Sequence, residues 1–277
     1  PCTGQKHVMD QPLHQRDRST PPSAPGAPAR AASCFASRLE RYAKLNDDEF
    51  RFIARMEDNE TAMPKGALVV AAGTPAEELF VLKEGWAVAR RTLPDNRGQV
   101  LRVYLPGEVI GLTGLGLSRN AHDVVMLTSG TVCPFPNAHM TAIYDKAPRV
   151  AALFTAISGL DQVSLMDRLA VMGAGTARER MAHFLLDLHE RLLVTNPDLG
   201  RRFRLPLRQV DIGEVLGLTK VYVNRMLKAF TEEGLIEIHR PYVRILKPEV
   251  LRDLAGYENR YDDVDHSWFP AASRNDL

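Results

Sequence analysis

The sequence predicts an α+β protein with an N-terminal β-roll of the jelly-roll kind, a long central helix and a C-terminal winged helix-turn-helix. Three observations carry that prediction. Short β-branched and aromatic runs separated by Gly and Pro turn signals recur between residues 68 and 135. An apolar repeat at helical spacing follows from about Ala147 to Met172. Finally, Leu207 to Ile236 holds two short amphipathic patterns around a glycine, and two alternating segments come after it.

At 277 residues and 45% hydrophobic composition, the chain can hold two folded domains with tails. No run approaches the roughly eighteen apolar residues that a membrane span needs, and no charged segment followed by an apolar stretch opens the chain. A cytoplasmic location without a membrane partner is therefore expected. Cys2, Cys34 and Cys133 are widely separated and odd in number, which argues against a disulfide scaffold.

Residues 1–32 contain six prolines with Ser, Gly and Ala and no sustained apolar period, and are expected to be a disordered leader. A β-roll sensor domain is expected over 33–146. It opens with helical character from Phe35 to Met56, broken and recapped at Asn46-Asp47-Asp48. The predicted strands are Leu68–Ala71, Leu79–Leu82, Ala87–Ala89, Val100–Leu105, Val124–Leu127 and Thr131–Phe135. Turn signals at Gly66, Gly73-Thr74-Pro75, Lys83-Glu84-Gly85, Pro94 to Gly98 and Pro106-Gly107 separate them. Regular short strands of this kind suggest a small barrel or roll rather than a βαβ sheet.

A dimerisation helix is expected over 147–173, with Val150, Leu153, Phe154, Ile157 and Leu160 at the interface between two copies and Leu165 and Leu169 continuing the apolar pattern. A hinge at Gly173-Ala174-Gly175-Thr176 and a helix from about Ala177 to Val194 lead into a DNA-binding domain over 174–250. In its first short helix Val210, Ile212, Val215 and Leu216 form the apolar side, and Gly217 supplies the reversal. Thr219 caps a second helix whose Val223, Met226, Leu227 and Phe230 face inward. Gly234 ends that helix. Two strands around Arg240-Pro241 then form a wing. After Val250 three basic residues face six acidic ones, and this tail over 251–277 is expected to dock loosely or fray, with Trp268 and Phe269 as its candidate anchors.

Lys220, Tyr222, Asn224, Arg225 and Lys228 are left on the outer side of the second helix, a composition that suits the major groove of double-stranded DNA. Arg forks onto guanine O6 and N7, Asn pairs with adenine N6 and N7, and Lys neutralises phosphate. From Arg201 to Lys228 seven basic residues stand against two acidic ones, although the whole chain carries only +1. The predicted DNA-facing set is Gln209, Thr219, Lys220, Val221, Tyr222, Asn224, Arg225 and Lys228, with His239 and Arg240 from the wing.

The order of roll, long helix, hinge and winged helix resembles the Crp/Fnr family of bacterial transcription regulators over roughly residues 35 to 250. Three stretches carry the resemblance: Phe80-Val81-Leu82-Lys83-Glu84-Gly85, Leu105-Pro106-Gly107-Glu108-Val109-Ile110-Gly111, and Val223-Asn224-Arg225-Met226-Leu227. It implies a cyclic-nucleotide-binding-type sensor roll, and a homodimer that reads a near-palindromic promoter site with RNA polymerase as a partner. It also implies base contacts at Lys220, Val221, Asn224 and Arg225, with Val221 standing where many members carry a base-reading Glu.

Members that bind cyclic nucleotide show a Gly-Glu pair followed about ten residues later by Arg-[Ser/Thr]. Here Gly111 is followed by Leu112, and the later positions read Arg119-Asn120-Ala121-His122-Asp123. No cyclic nucleotide response is expected. Gly111, Leu112, Thr113, Arg119 and His122 remain as candidates for lining a pocket whose small-molecule effector is unknown. The family also contains iron–sulfur and haem sensors. Three isolated cysteines cannot supply four cluster ligands, and no His or Cys pairing marks a haem site, so no cofactor is expected. No phosphate loop, Gly-x-Ser-x-Gly, His-Glu-x-x-His or Cys-x-x-Cys is found, which argues against an enzyme. The alternative to a DNA-binding regulator is an effector-binding signalling module whose winged helix contacts a protein partner. The Lys220, Asn224, Arg225 and Lys228 face favours DNA, because a protein-binding wing more often exposes apolar anchors.

Overall fold

The computed structural model describes residues 33–92, 98–262 and 264–271. The leader expected over 1–32 and the turn signal at 94–97 lie outside the described residues. α1 (Cys34–Glu40) starts where the Ser33 hydroxyl accepts from the Ala36 amide at 3.0 Å. α2 (Asp47–Ala54) starts on a reciprocal Asn46 and Glu49 capping box at the predicted break.

The roll comprises β1 (Thr61–Met63), β2 (Leu68–Val70), β3 (Glu78–Glu84), β4 (Ala87–Thr92), β5 (Gly98–Tyr104), β6 (Val109–Ile110), β7 (Asp123–Met126) and β8 (Gly130–Pro136). They form two antiparallel four-stranded sheets, ordered β1-β8-β3-β6 and β2-β7-β4-β5. Two strands were not anticipated. β1 is largely exposed, and β6 is only two residues long, so neither shows an alternating pattern.

α3 (His139–Lys146) leads into the 27-residue α4 (Pro148–Ala174). The apolar residues of α4 divide into two groups. Val150, Leu153, Phe154 and Ile157, expected between copies, are buried within this chain against Phe35, Leu39, Phe50, Phe135 and Ile143, and Leu160 packs half-buried beside them. They belong to the chain's own core because α1 and α2 cover the first half of the helix. The exposed apolar residues come later in α4: Val163, Leu165, Met166 and Leu169, the last 69% exposed.

α5 (Ala177–Thr195) begins on a Thr176 and Glu179 capping box immediately after Gly175 ends α4. Beyond it lie β9 (Arg202–Arg204), α6 (Gln209–Leu216), α7 (Lys220–Glu232), β10 (Ile236–His239), β11 (Tyr242–Ile245) and α8 (Pro248–Ala255). One apolar core runs from Trp86, Val88 and Val103 of the roll through Leu185 and Leu188 of α5 to Val223 and Phe230 of α7. Among the described residues no helix is long and apolar enough to cross a membrane.

Segments after Val250 are held more firmly than expected. α8 packs Leu251 inward, and Tyr257 and Tyr261 are buried. The Tyr261 hydroxyl donates to Asp187 Oδ1 at 2.9 Å and lies 3.0 Å from Ser164 Oγ. Arg260 Nε reaches Asp167 at 3.1 Å, and Arg252 Nη2 reaches Glu190 at 2.7 Å. Tyr261, through its hydroxyl, and Tyr257, edge-on to the His183 ring, are therefore the anchors, while Trp268 stays mostly exposed and Phe269 half-buried.

A buried ion cluster joins the layers. Glu108, between β5 and β6, is 2% exposed and accepts from Arg191 of α5 at 2.7 Å. Arg102 of β5 and Arg38 of α1 lie 3.3 and 3.5 Å from the same carboxylate. Burial by itself would raise the Glu108 pKa, but the charges of Arg191, Arg102 and Arg38 outweigh it and hold the carboxyl at about 2. A carboxyl depressed in this way stabilises the fold fully above its ordinary 4.5, and the contribution is lost as pH falls toward about 2. Glu108→Gln, which removes the shared counter-charge and leaves Arg102 and Arg191 with only Asp161 and Asp187, is expected to cost about 3–5 kcal/mol. Urea unfolding at neutral pH measures the loss, and the steep fall in wild-type stability below pH 4.5 should be flattened in the variant.

Candidate nucleic-acid interface

The helix-turn-helix is built from α6, a tight turn and α7. Gly217 ends α6 with φ of 63°, in the left-handed region, and a Cβ on Gly213 would fall 2.4 Å from the Leu218 carbonyl oxygen. Both positions therefore require glycine for the two helices to approach this closely. The Thr219 hydroxyl accepts from the Tyr222 amide at 3.3 Å and starts α7 as expected. Val223, Leu227 and Phe230 are buried, and Met226 is half-buried. Val210 departs from its predicted place: it is exposed on α6, and Ile212, Val215 and Leu216 alone form the inner side.

Lys220, Val221, Tyr222, Asn224, Arg225 and Lys228 are all exposed on α7, with Val221 at 77%. Three of the predicted residues are already oriented. The Gln209 amide donates to Asn224 Oδ1 at 2.9 Å, which holds the Asn224 side chain in place. The Arg225 guanidinium lies 4.0 Å from the centroid of the Tyr222 ring, a cation–π contact that limits its rotamers before any partner arrives. Lys228 pairs with Glu232 at 3.5 Å across one helical turn, a surface pair of little weight.

The wing forms from β10 and β11 around the turn at Arg240-Pro241, and His239 and Arg240 are exposed at its tip. His239 Nε2 lies 2.9 Å from Glu237 Oε1. β9 pairs with β11 and completes a three-stranded sheet. This strand was missed because Arg202-Phe203-Arg204 registered only as charge; the signal available was the single buried Phe203 between two arginines. Arg202 and Arg204 thereby join the wing, Arg202 stacked 4.3 Å from the Tyr242 ring centroid. Arg208, counted in the basic excess, is instead committed to Asp211 through its backbone amide at 2.9 Å and two guanidinium bonds at 3.0 Å. Burial would raise the Asp211 pKa, but the Arg208 bonds and charge and the nearby Arg90 lower it overall.

The back of α6 is tied to the roll. Gln99 donates to the Glu214 carbonyl at 2.6 Å, and Arg90 pairs with the Glu214 carboxylate at 2.9 Å. The exposed face of α7 is left uncovered by these contacts.

Of the predicted pocket residues, Gly111, Leu112, Thr113 and His122 line one cavity of about 680 Å³ between the roll and α4. Arg119 does not join them. It is exposed, and its Nη1 donates to the Gly73 carbonyl. Arg102, Tyr104, Arg168 and Tyr261 also line the cavity, contributed by β5, α4 and the C-terminal segment; distance along the chain hid them. Among the described residues no three His, Cys, Asp or Glu side chains converge, and burial pushes the Cys133 thiol up to about 12, away from the thiolate a ligand must be.

Residues 179–254 match the Crp-like helix-turn-helix domain, and residues 60–147 match the cyclic nucleotide-binding domain. The chain is 25% identical over 240 residues to the transcriptional regulatory protein btr of Bordetella pertussis, covering 86% of this chain and 98% of that one. It is 23% identical to the fumarate and nitrate reduction regulatory protein of Escherichia coli K12, covering 84% and 92%. FixK2 from Bradyrhizobium japonicum has the same fold, with a TM-score of 0.65 at 23% identity over 73% of this chain and 98% of that one. With both halves of the fold matched in order, and relatives spanning nearly their full length, the chain belongs to the Crp/Fnr family of transcription regulators.

Proposed function

We propose that the protein acts as a homodimer that reads a near-palindromic promoter site without help from a cyclic nucleotide. The observation that carries this reading is the exposed face of α7, where Val221, Asn224 and Arg225 stand together with Asn224 and Arg225 already oriented. Arg225 suits a guanine, Asn224 suits an adenine, and the methyls of Val221 suit a thymine C5-methyl in place of the cytosine amino group that a carboxylate would read. Arg202 and Arg204 on β9 and Arg240 at the wing tip suit flanking phosphates. RNA polymerase is the partner that a promoter-bound regulator of this family would engage.

Val163, Leu165, Met166 and Leu169 support the dimer, because an exposed apolar stretch on a long helix is covered when a second copy lies against it. Symmetric readers place their recognition helices about 34 Å apart, one turn of DNA. Independence from cyclic nucleotide is supported by the absence of a carboxylate after Gly111 and by Arg119 turning outward to Gly73.

Competition of specific and random DNA duplexes tests the reading. Arg225→Ala is expected to remove about 1–3 kcal/mol of discrimination at one base pair. Lys228→Ala should weaken both duplexes alike and reduce the salt slope by about one. Equal losses on both duplexes for the two variants would count against the assignment.

Sedimentation tests the dimer. Leu165→Glu combined with Leu169→Glu should give folded monomers, whereas Ile157→Glu should lower the melting temperature because Ile157 is core. A wild-type protein that remains monomeric on DNA would exclude the symmetric reading.

Calorimetry with cyclic AMP and cyclic GMP at millimolar concentration should show no saturable heat and no gain in operator affinity, since a ligand acts only through differential affinity for two states. Saturable binding coupled to tighter DNA binding would restore nucleotide control.

A further inference from the structure

We propose that Gln209, the first residue of α6, sets the base preference of the neighbouring helix by holding the Asn224 amide in the orientation that reads adenine and rejects guanine. The inference rests on the proposed DNA-reading role of α7 and assigns a share of that reading to α6.

The two side chains meet across the helix-turn-helix although they lie fifteen residues apart in the chain. Two features bring them together. Gly213 allows the close approach of α6 to the turn before α7, since a Cβ there would fall 2.4 Å from the Leu218 carbonyl oxygen. The start of α6 is fixed by the buried Asp211, whose carboxylate accepts from the Arg208 amide at 2.9 Å and from the Arg208 guanidinium at 3.0 Å. Gln209 is therefore half-buried on a fixed turn, whereas Asn224 is exposed on α7. Gln209 Nε2 donates to Asn224 Oδ1 at 2.9 Å, and among the described residues neither Gln209 Oε1 nor Asn224 Nδ2 has a further hydrogen bond within the protein.

An exposed amide pair of this kind adds little to stability, because water competes for both groups and two flexible side chains must be ordered to form it. Its consequence is chemical. An asparagine amide has a donor end and an acceptor end of nearly equal shape. In the major groove adenine presents an acceptor at N7 and a donor at N6, and is met by Nδ2 and Oδ1 together; guanine presents two acceptors, N7 and O6. An amide that rotates freely can offer Nδ2 alone to either purine. With Oδ1 tied to Gln209, that rotation breaks a hydrogen bond. The second lone pair of Oδ1 stays available to adenine N6, and on guanine it would meet O6, acceptor against acceptor. Gln209 is thus a positioning residue that acts through Asn224. A residue that touched only phosphate would carry no sequence information.

Selection of bound duplexes from a randomised library by the full chain, followed by titration of the selected site and its single-base variants, tests the assignment. Asn224→Ala identifies the position that Asn224 reads, which should be adenine for the wild-type protein. Gln209→Leu, close in size but without a donor, should lower the adenine-over-guanine preference at that position by about three- to tenfold, with the other positions read as before. Gln209→Lys, which restores a donor, should recover the preference and guards against a merely structural effect of the first variant. In the Asn224→Ala background, Gln209→Leu should change nothing further at that position. A loss of equal size on specific and random duplexes, a preference unmoved by Gln209→Leu, a base other than adenine at the position Asn224 reads, or an effect that persists without Asn224 would overturn the proposal. Recovery of no preferred sequence by the wild-type protein would remove the DNA-reading role of α7 and this assignment with it, an outcome distinct from a selected site that is indifferent to Gln209.

Discussion

The Glu108 carboxylate and the three arginines around it are the constraint on which the arrangement of layers depends. Glu108 sits between two strands of the roll, Arg38 comes from α1, Arg102 from β5 and Arg191 from α5, so one buried anion ties four parts of the chain together. Arg191 also donates to the Val103 carbonyl at 2.6 Å, which fixes α5 against the edge of the roll. A buried cluster of this sort contributes little net stability over apolar packing, but breaking one member leaves the others uncompensated. It therefore acts mainly on geometry: α5 is held where Arg191 reaches both the Glu108 carboxylate and the Val103 carbonyl.

From that position the DNA-reading surface follows. α5 shares an apolar core with α6 and α7, and Arg90 and Gln99 of the roll hold α6 from behind. The recognition helix is thus supported by rigid elements on its buried side and remains open on the other. Tyr222 and Gln209 then orient Arg225 and Asn224 locally. Pre-orientation of this kind lowers the conformational entropy lost when a side chain docks on a base edge.

The cavity and the C-terminal segment share part of the same framework. Tyr261 reaches back from beyond α8 to Ser164 on α4 and Asp187 on α5, closing the wall of a space that also contains Arg168. The wall of the cavity is consequently formed by the roll, the long helix, α5 and the end of the chain together.

The sequence by itself determined the elements whose signals are local. Period-two runs marked most roll strands, Gly217 and Thr219 marked the turn and start of α7, and the outward residues of α7 were identified because a helix separates its faces at fixed spacing. Tertiary structure decided what depends on distant partners. Apolar spacing on α4 is the same whether a residue meets its own core or a second copy, so the burial of Val150, Leu153, Phe154 and Ile157 became visible only once α1 and α2 were in place. The firm docking of Tyr257 and Tyr261 was hidden by an acidic composition, since their partners lie roughly a hundred residues away or less along the chain and across the fold. Arg208 and Arg168 show the same limit for charge: both look alike in the sequence, yet the fold gives one a carboxylate and leaves the other facing a cavity, because ion pairing depends on distance in space.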